Sequence, residues 1–220
     1  MKPIRLIIAD DYSIVREGIK LLLESERDVQ VIAETECGSE CLHMLSELNP
    51  ELLILDICMS DQSGFDILKN LNKNGDRKSK VLILTDNDAY CGQNFLKCYD
   101  IGIDGYLLKN AEPGKLKKAI YSIIKNNDIY IQTELYSILD NREKNRALDL
   151  DRIHQLTNRE LDILKNLSIG MYNKEIATKL NISERTVKNH ISSIFKKIGV
   201  SDRTQAAVFS IRNNLVDIYT

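Results

Sequence analysis

Two stretches of the chain, Ile4-Arg5-Leu6-Ile7-Ile8-Ala9 and Leu52-Leu53-Ile54-Leu55, are almost wholly apolar, and each ends abruptly in acid, Asp10-Asp11 after the first and Asp56 after the second. A short apolar run with no polar alternation reads as a strand buried on both faces, the habit of parallel sheets covered by helices. Such sheets place function at the carboxyl ends of their strands, so the three acids point to one shared site. Crowded carboxylates repel one another unless a hard cation sits among them, and few-ligand carboxylate sites that keep several waters suit Mg²⁺. A cation there invites a phosphoryl group. Each acid also has a plainer reading, with Asp10-Asp11 capping the following helix and Asp56 opening a turn.

The next apolar run, Val81-Leu82-Ile83-Leu84, ends in Thr85, and Tyr106-Leu107-Leu108 ends in Lys109. A phosphoryl group on Asp56 needs a cation on one side, an ammonium on another and a hydroxyl donor for its remaining oxygen, and the chain offers each at a strand end in turn. In the order Asp-Asp, Asp, Thr, Lys, these residues resemble the receiver domain of two-component response regulators over roughly residues 1 to 128.

Between the strands lie helical stripes: Ile14, Val15, Ile19, Leu22 and Leu23 after a Ser13 cap; Cys41, Leu42, Leu45 and Leu48; Phe65, Ile67, Leu68 and Leu71; Phe95, Leu96, Tyr99 and Ile101; and Leu116 to Ile124 after Pro113. Val29 to Thr35 supplies the second strand. Five strand–helix alternations with right-handed crossovers predict an α/β fold, a five-stranded doubly wound parallel sheet of order 2-1-3-4-5. Tyr130 to Leu139 reads as a further helix, and the polar run 140–146, which lacks Gly and Pro, as a linker able to continue helically.

A second module begins at Leu156-Thr157-Asn158-Arg159-Glu160, where Thr157 and Glu160 make a capping box before Leu161, Ile163, Leu164 and Leu167. Gly170 stops that helix, a second runs from a cap at Asn173 to Leu180, and Ser183 caps a third, Glu184 to Ile198. The third helix turns Val187, Ile191, Ile194 and Ile198 inward and Lys188, Asn189, Ser192, Lys196 and Ser193 outward. Two short helices joined by a tight turn, the second basic on its outer face, describe a helix-turn-helix. Leu156-Thr157, Arg159-Glu160, Asn173 to Ala177, Ile182-Ser183, Thr186-Val187-Lys188, His190 and Gly199-Val200 resemble the DNA-binding domain of LuxR-type regulators. The whole chain thus resembles the NarL/FixJ group of response regulators, with a receiver over 1–128, a helical connector over 129–152 and a helix-turn-helix domain over 153–220.

That resemblance implies roles. Asp10 and Asp11 help bind Mg²⁺, Asp56 is both metal ligand and phosphoacceptor, Cys58 offers its backbone carbonyl to the metal, Thr85 and Lys109 read the phosphoryl oxygens, and Tyr106 is the aromatic switch paired with Thr85. In the second module Lys188, Asn189 and Ser192 face base edges, with Thr186 beside them, while Lys174, Lys196, Lys197, Arg203 and Thr204 contact phosphates. The partners are a sensor histidine kinase, double-stranded DNA and, when active, a second copy of the chain. Three positions depart from the family pattern: Ser60 where Pro is usual, Asp86 where a small residue follows the switch Thr, and Asn110 where Pro often follows the Lys.

Composition agrees. Residues 151–220 carry 11 Lys and Arg against 7 Asp and Glu, whereas residues 1–150 carry 19 against 25, which suits nucleic acid at one end and a metal-phosphate site at the other. With no apolar run near the roughly 18 to 20 residues of a membrane helix, and with Met1-Lys2-Pro3 leading directly into a strand, the expected location is the cytoplasm and no membrane partner is expected. All five cysteines, Cys37, Cys41, Cys58, Cys91 and Cys98, lie in the first half without metal-ligand spacing and read as reduced thiols. An aspartate-nucleophile phosphatase would want an acid two residues after Asp56, where Cys58 stands, so a transcription regulator is expected rather than an enzyme.

Overall fold

The computed structural model describes residues 2–61, 63–73, 77–86 and 90–216. It divides into two compact units, Met1–Leu139 and Asp140–Thr220. In the first, β1 (Ile4–Ala9), β2 (Val29–Thr35), β3 (Leu52–Leu55), β4 (Lys80–Thr85) and β5 (Gly105–Leu108) alternate with α1 (Ser13–Leu23), α2 (Gly38–Leu48), α3 (Gly64–Asn72), α4 (Cys91–Ile101) and α5 (Pro113–Tyr121). All the strand pairs are parallel, in the order β2-β1-β3-β4-β5, and a sixth strand, β6 (Tyr130–Ile131), closes the far edge.

The doubly buried strands follow from their sequences. Successive side chains point to opposite faces, so Ile7, Leu53, Leu55, Val81 and Ile83 pack with α2, α3 and α4, while Leu6, Ile8, Leu52, Ile54 and Leu82 pack with α1 and α5. Apolar residues at every position are therefore required. Because the strands run parallel in register, with Ala9 beside Leu55 and Leu55 beside Ile83, all their carboxyl ends open on one rim.

The segment after α5 differs from expectation. Tyr130 and Ile131 extend beside β5, where Tyr130 N donates to the Asp104 carbonyl at 2.9 Å and Gln132 N to that of Tyr106 at 3.1 Å, satisfying a ladder edge that a helix would leave open. A 3₁₀ turn, Thr133–Leu135, then leads into α6 (Tyr136–His154), which absorbs the polar run 140–146 as helix. The expected connector 129–152 is divided: Ile131 and Leu135 are buried in the first core, and Asp149 is buried in the second unit.

The second unit comprises the rest of α6 with α7 (Asn158–Ser168), α8 (Asn173–Leu180), α9 (Glu184–Ile198) and α10 (Arg203–Arg212). Ile163, Leu164, Leu167, Ile176, Val187, Ile194, Ile198 and Phe209 form its core. Thr157 and Glu160 form the expected capping box, and Ser183 caps α9. Gly199 ends α9 at φ +73°, a left-handed conformation that glycine adopts without strain. Two caps move by one residue. Ser13 and Asn173 are the first helical residues, after Tyr12 and Tyr172, whose N–H groups donate to Asp10 Oδ1 (2.9 Å) and Glu175 Oε2 (2.6 Å).

Candidate functional site

Asp10, Asp11, Asp56, Thr85 and Lys109 meet at the carboxyl rim. Oxygens of the three carboxylates lie within 4.8 Å of one another, and Asp10 and Asp56 are buried. Lys109 Nζ bridges two of them, 2.7 Å from Asp56 Oδ2 and 2.9 Å from Asp10 Oδ2. Cys58 N donates to Asp56 Oδ1 at 3.0 Å and Arg16 Nη1 to the Asp10 carbonyl at 2.7 Å. Asp11 Oδ1 is buried with no hydrogen-bond partner among the described residues. Two carboxylates 4.8 Å apart repel by roughly 3 kcal/mol at an effective dielectric near 20, and the Lys109 ammonium reaches two of the three. An oxygen-only donor set with excess negative charge and one orphaned oxygen fits a hard divalent cation.

Burial pushes the Asp10 carboxyl above its ordinary range, and the hydrogen bonds from Lys109 and Tyr12 only partly oppose it. Burial works against the Lys109 charge too, yet hydrogen bonds to Asp56 and Asp10 outweigh it and hold the ammonium above its usual pKa. The pocket is thus wired as a coupled set.

Backbone geometry places these groups. Asp10 N donates to the Thr35 carbonyl (3.1 Å), Asp56 N to that of Ala9 (2.8 Å) and Lys109 N to that of Thr85 (2.8 Å), each continuing the ladder one residue beyond its strand. Gly64 at the start of α3 sits so close that a Cβ would stand 2.5 Å from the Asp56 carbonyl oxygen. Only glycine fits there. Thr85 is buried with Oγ1 3.9 Å from Cys58 Sγ, and Tyr106 is fully buried with its ring edge-on to Phe95 at 5.1 Å. Cys41 and Cys98 thiols, pushed by burial up to about 12, are inert.

In the second unit Lys174, Lys188, Asn189, Ser192, Lys196 and Thr204 are exposed, and Thr186 is half-buried against Ser183. Lys197 and Arg203 are half-buried and have partners within the unit. Lys197 Nζ lies 2.6 Å from Glu160 Oε2, and Arg203 Nη2 donates to the carbonyls of Leu167 (2.9 Å) and Met171 (2.6 Å) at the end of α7. Ser193, expected outward, donates to Glu160 Oε1 at 2.7 Å. The outward placement of Ser193 assumed that a polar residue off the apolar stripe faces water, whereas the buried Glu160 carboxylate on α7 recruits it together with Lys197.

Sequence reasoning missed two residues beside the pocket. The Tyr12 ring lies over Lys109 Nζ at 5.0 Å, and the Asp61 carboxylate binds the start of α2. Tyr12 adjoins Asp10-Asp11, a signal that was available; nothing local marks Asp61.

A family model described as response regulator receiver domain matches residues 6–121, and one described as bacterial regulatory proteins, luxR family, matches residues 154–210. The chain is 35% identical over 210 residues to the nitrate/nitrite response regulator protein NarP of Escherichia coli, covering 96% of this chain and 95% of that one. It is 33% identical over 218 residues to the response regulator protein VraR of Staphylococcus saprophyticus, covering 97% and 99%. A solved structure of two RcsB dimers bound to two parallel DNAs is similar at 25% identity and a TM-score of 0.57, covering 96% of this chain and 99% of that one.

Proposed function

The chain belongs to the two-component response regulators that join a receiver domain to a LuxR-type DNA-binding domain, and on that premise we propose that Asp56 accepts a phosphoryl group from a sensor histidine kinase and thereby controls DNA binding. The observation that carries this reading is the Lys109 bridge to Asp56 and Asp10 beside the orphaned Asp11 oxygen. An Asp56 carboxylate oxygen attacks the phosphorus of a phosphohistidine, the P–N bond breaks, and the imidazole leaves. Asp10, Asp11, Asp56 and the Cys58 carbonyl would hold Mg²⁺, which supplies positive charge against the phosphoryl oxygens when bound. Lys109 then turns to a phosphoryl oxygen, and the Thr85 hydroxyl donates to another.

The switch follows from charge. The aspartyl phosphate draws Thr85 inward and favours the buried position of Tyr106 against Phe95. In the DNA-binding domain, α9 enters the major groove, with Lys188, Asn189 and Ser192 toward base edges and Thr186, Lys174 and Lys196 toward phosphates. Lys197 and Arg203 serve to hold α9 and α10 on α7. The phosphoacceptor function belongs to residues 1–128, onto whose core Ile131 and Leu135 of the segment 129–152 pack, and DNA binding to residues 153–220, in a cytoplasmic protein that pairs as a dimer on DNA. Incubation with Mg²⁺ and a small acyl phosphate donor tests the central claim. Wild type should be labelled and Asp56→Asn should not; equal labelling of the two would overturn the assignment.

A further inference from the structure

We propose that Asp61 is a positioning residue for the phosphoacceptor pocket, clasping the loop that follows Asp56 to the start of α2 and so setting where the Cys58 backbone stands. The proposal rests on the phosphoacceptor reading of Asp56. Both Asp61 oxygens accept from Gly38 N at 2.9 Å, and Oδ2 accepts further from Cys37 Sγ at 3.1 Å and Ser39 N at 3.5 Å. Helix α2 has no cap of its own, since Cys37 at its start makes no side-chain capping bond. The cap is imported from the loop beyond β3, and a carboxylate there also meets the positive end of the helix dipole.

What the clasp joins gives it a role. On the other side of the same turn, Cys37 N donates to Thr35 Oγ1 at 3.0 Å, and the Thr35 carbonyl accepts from Asp10 N at 3.1 Å. The turn between β2 and α2 therefore spans from the Asp10 strand end to the loop carrying Cys58. That loop is pinned at its start by Cys58 N on Asp56 Oδ1 and at its end by Gly64 N on the Ile57 carbonyl at 3.2 Å. Ser60, in its middle, lacks the fixed φ that a proline would impose. Asp61 supplies the missing constraint from outside the loop, and being exposed it does so without belonging to the core.

The test compares full-length wild type, Asp61→Ala, and Asp61→Ala combined with Ser60→Pro. Three quantities are read: Mg²⁺ affinity of the unphosphorylated chain by calorimetry, amide hydrogen exchange over residues 57–61, and the Mg²⁺ dependence of labelling by a small acyl phosphate. Asp61→Ala should weaken Mg²⁺ binding about tenfold, the scale of losing an outer-shell partner, with faster exchange, a matching rise in the Mg²⁺ needed for labelling and a receiver unfolding midpoint lowered only by the loss of one helix cap. Adding Ser60→Pro should recover most of the loss. Unchanged Mg²⁺ affinity and exchange in Asp61→Ala, no recovery of Mg²⁺ affinity with Ser60→Pro, or a loss of receiver stability well beyond that of one helix cap would each overturn the positioning role. A wild-type chain that neither binds Mg²⁺ nor takes label would instead overturn the phosphoacceptor reading, and this proposal with it.

Discussion

Each unit buries a carboxylate gripped by a lysine, and the two arrangements have opposite characters. In the second unit Glu160 is saturated: Ser193 donates to Oε1 at 2.7 Å, and Lys197, Thr157 N and Thr157 Oγ1 donate to Oε2 at 2.6, 2.9 and 3.0 Å. Burial would raise its pKa, but Lys197, the Thr157 backbone, Ser193 and the Thr157 hydroxyl together bring it down to about 2. In the first unit Lys109 is shared between Asp56 and Asp10, Asp11 keeps an orphaned oxygen, and burial holds Asp10 above its ordinary range. A buried charge whose acceptor sites are filled is a fastening; a buried set with charge left over is a place for something to bind.

The sharpest way to break this contrast is to remove one acid from each. Glu160→Ala strands Lys197 and unties α9 from α7, and should cost the DNA-binding unit about 3 kcal/mol or more, read as its transition in urea unfolding. Asp10→Asn relieves repulsion and should leave receiver stability unchanged or raise it by about 1 kcal/mol or less. Equal losses from both would erase the distinction.

Acid sharpens the same comparison. Glu160 is depressed from 4.5 to about 2, so its stabilisation is complete above about 4.5 and is lost as pH falls toward 2, some 3 kcal/mol in all. Asp10 is raised, so protonation favours the folded receiver, and its contribution grows as pH falls through the range just above 3.8. Glu26, Asp28 and Glu134 of the first unit are themselves held low by hydrogen bonds and ion pairs and lose their contribution over the same range, so the decisive readout lies within the second unit. Its unfolding midpoint should fall between pH 5 and 2.5 in wild type and fall less in Glu160→Gln, and equal declines in the two would contradict the shift at Glu160.

Within the second unit, exposed and fastened basic residues should part company. Lys188→Ala or Asn189→Ala should cost about 1 to 3 kcal/mol of DNA binding at one base position, whereas Lys196→Ala weakens all sequences alike and flattens the salt dependence. Lys197→Ala should lower the unit's stability first. Binding across a site library at several salt concentrations, with unfolding run alongside, separates the three behaviours. The smallest effect belongs to Asp86, exposed directly after Thr85. Asp86→Ala should speed labelling by a small anionic donor about threefold at low salt, the water-screened repulsion of two like charges, and less at high salt. Identical rates at both salt levels would remove Asp86 from the pocket's electrostatics.

The order of strands, the acids at their ends, and the helix-turn-helix were legible in the chain because each rests on local periodicity. A run apolar at every position reports burial on both faces, and a parallel sheet then brings every strand end, with Asp10, Asp56, Thr85 and Lys109, to one rim. What periodicity reports is which face a residue occupies, and it is silent on which residue of another element it meets there. Asp61 on Gly38, Glu160 with Lys197 and Ser193, Tyr12 over Lys109, and Tyr130 with Ile131 beside β5 all join segments whose spacing in the sequence carries no signal. Those pairings depend on how helices and turns settle against the finished sheet or bundle, where each buried polar group must find a partner among whatever packing has brought near, and only the tertiary structure decides that.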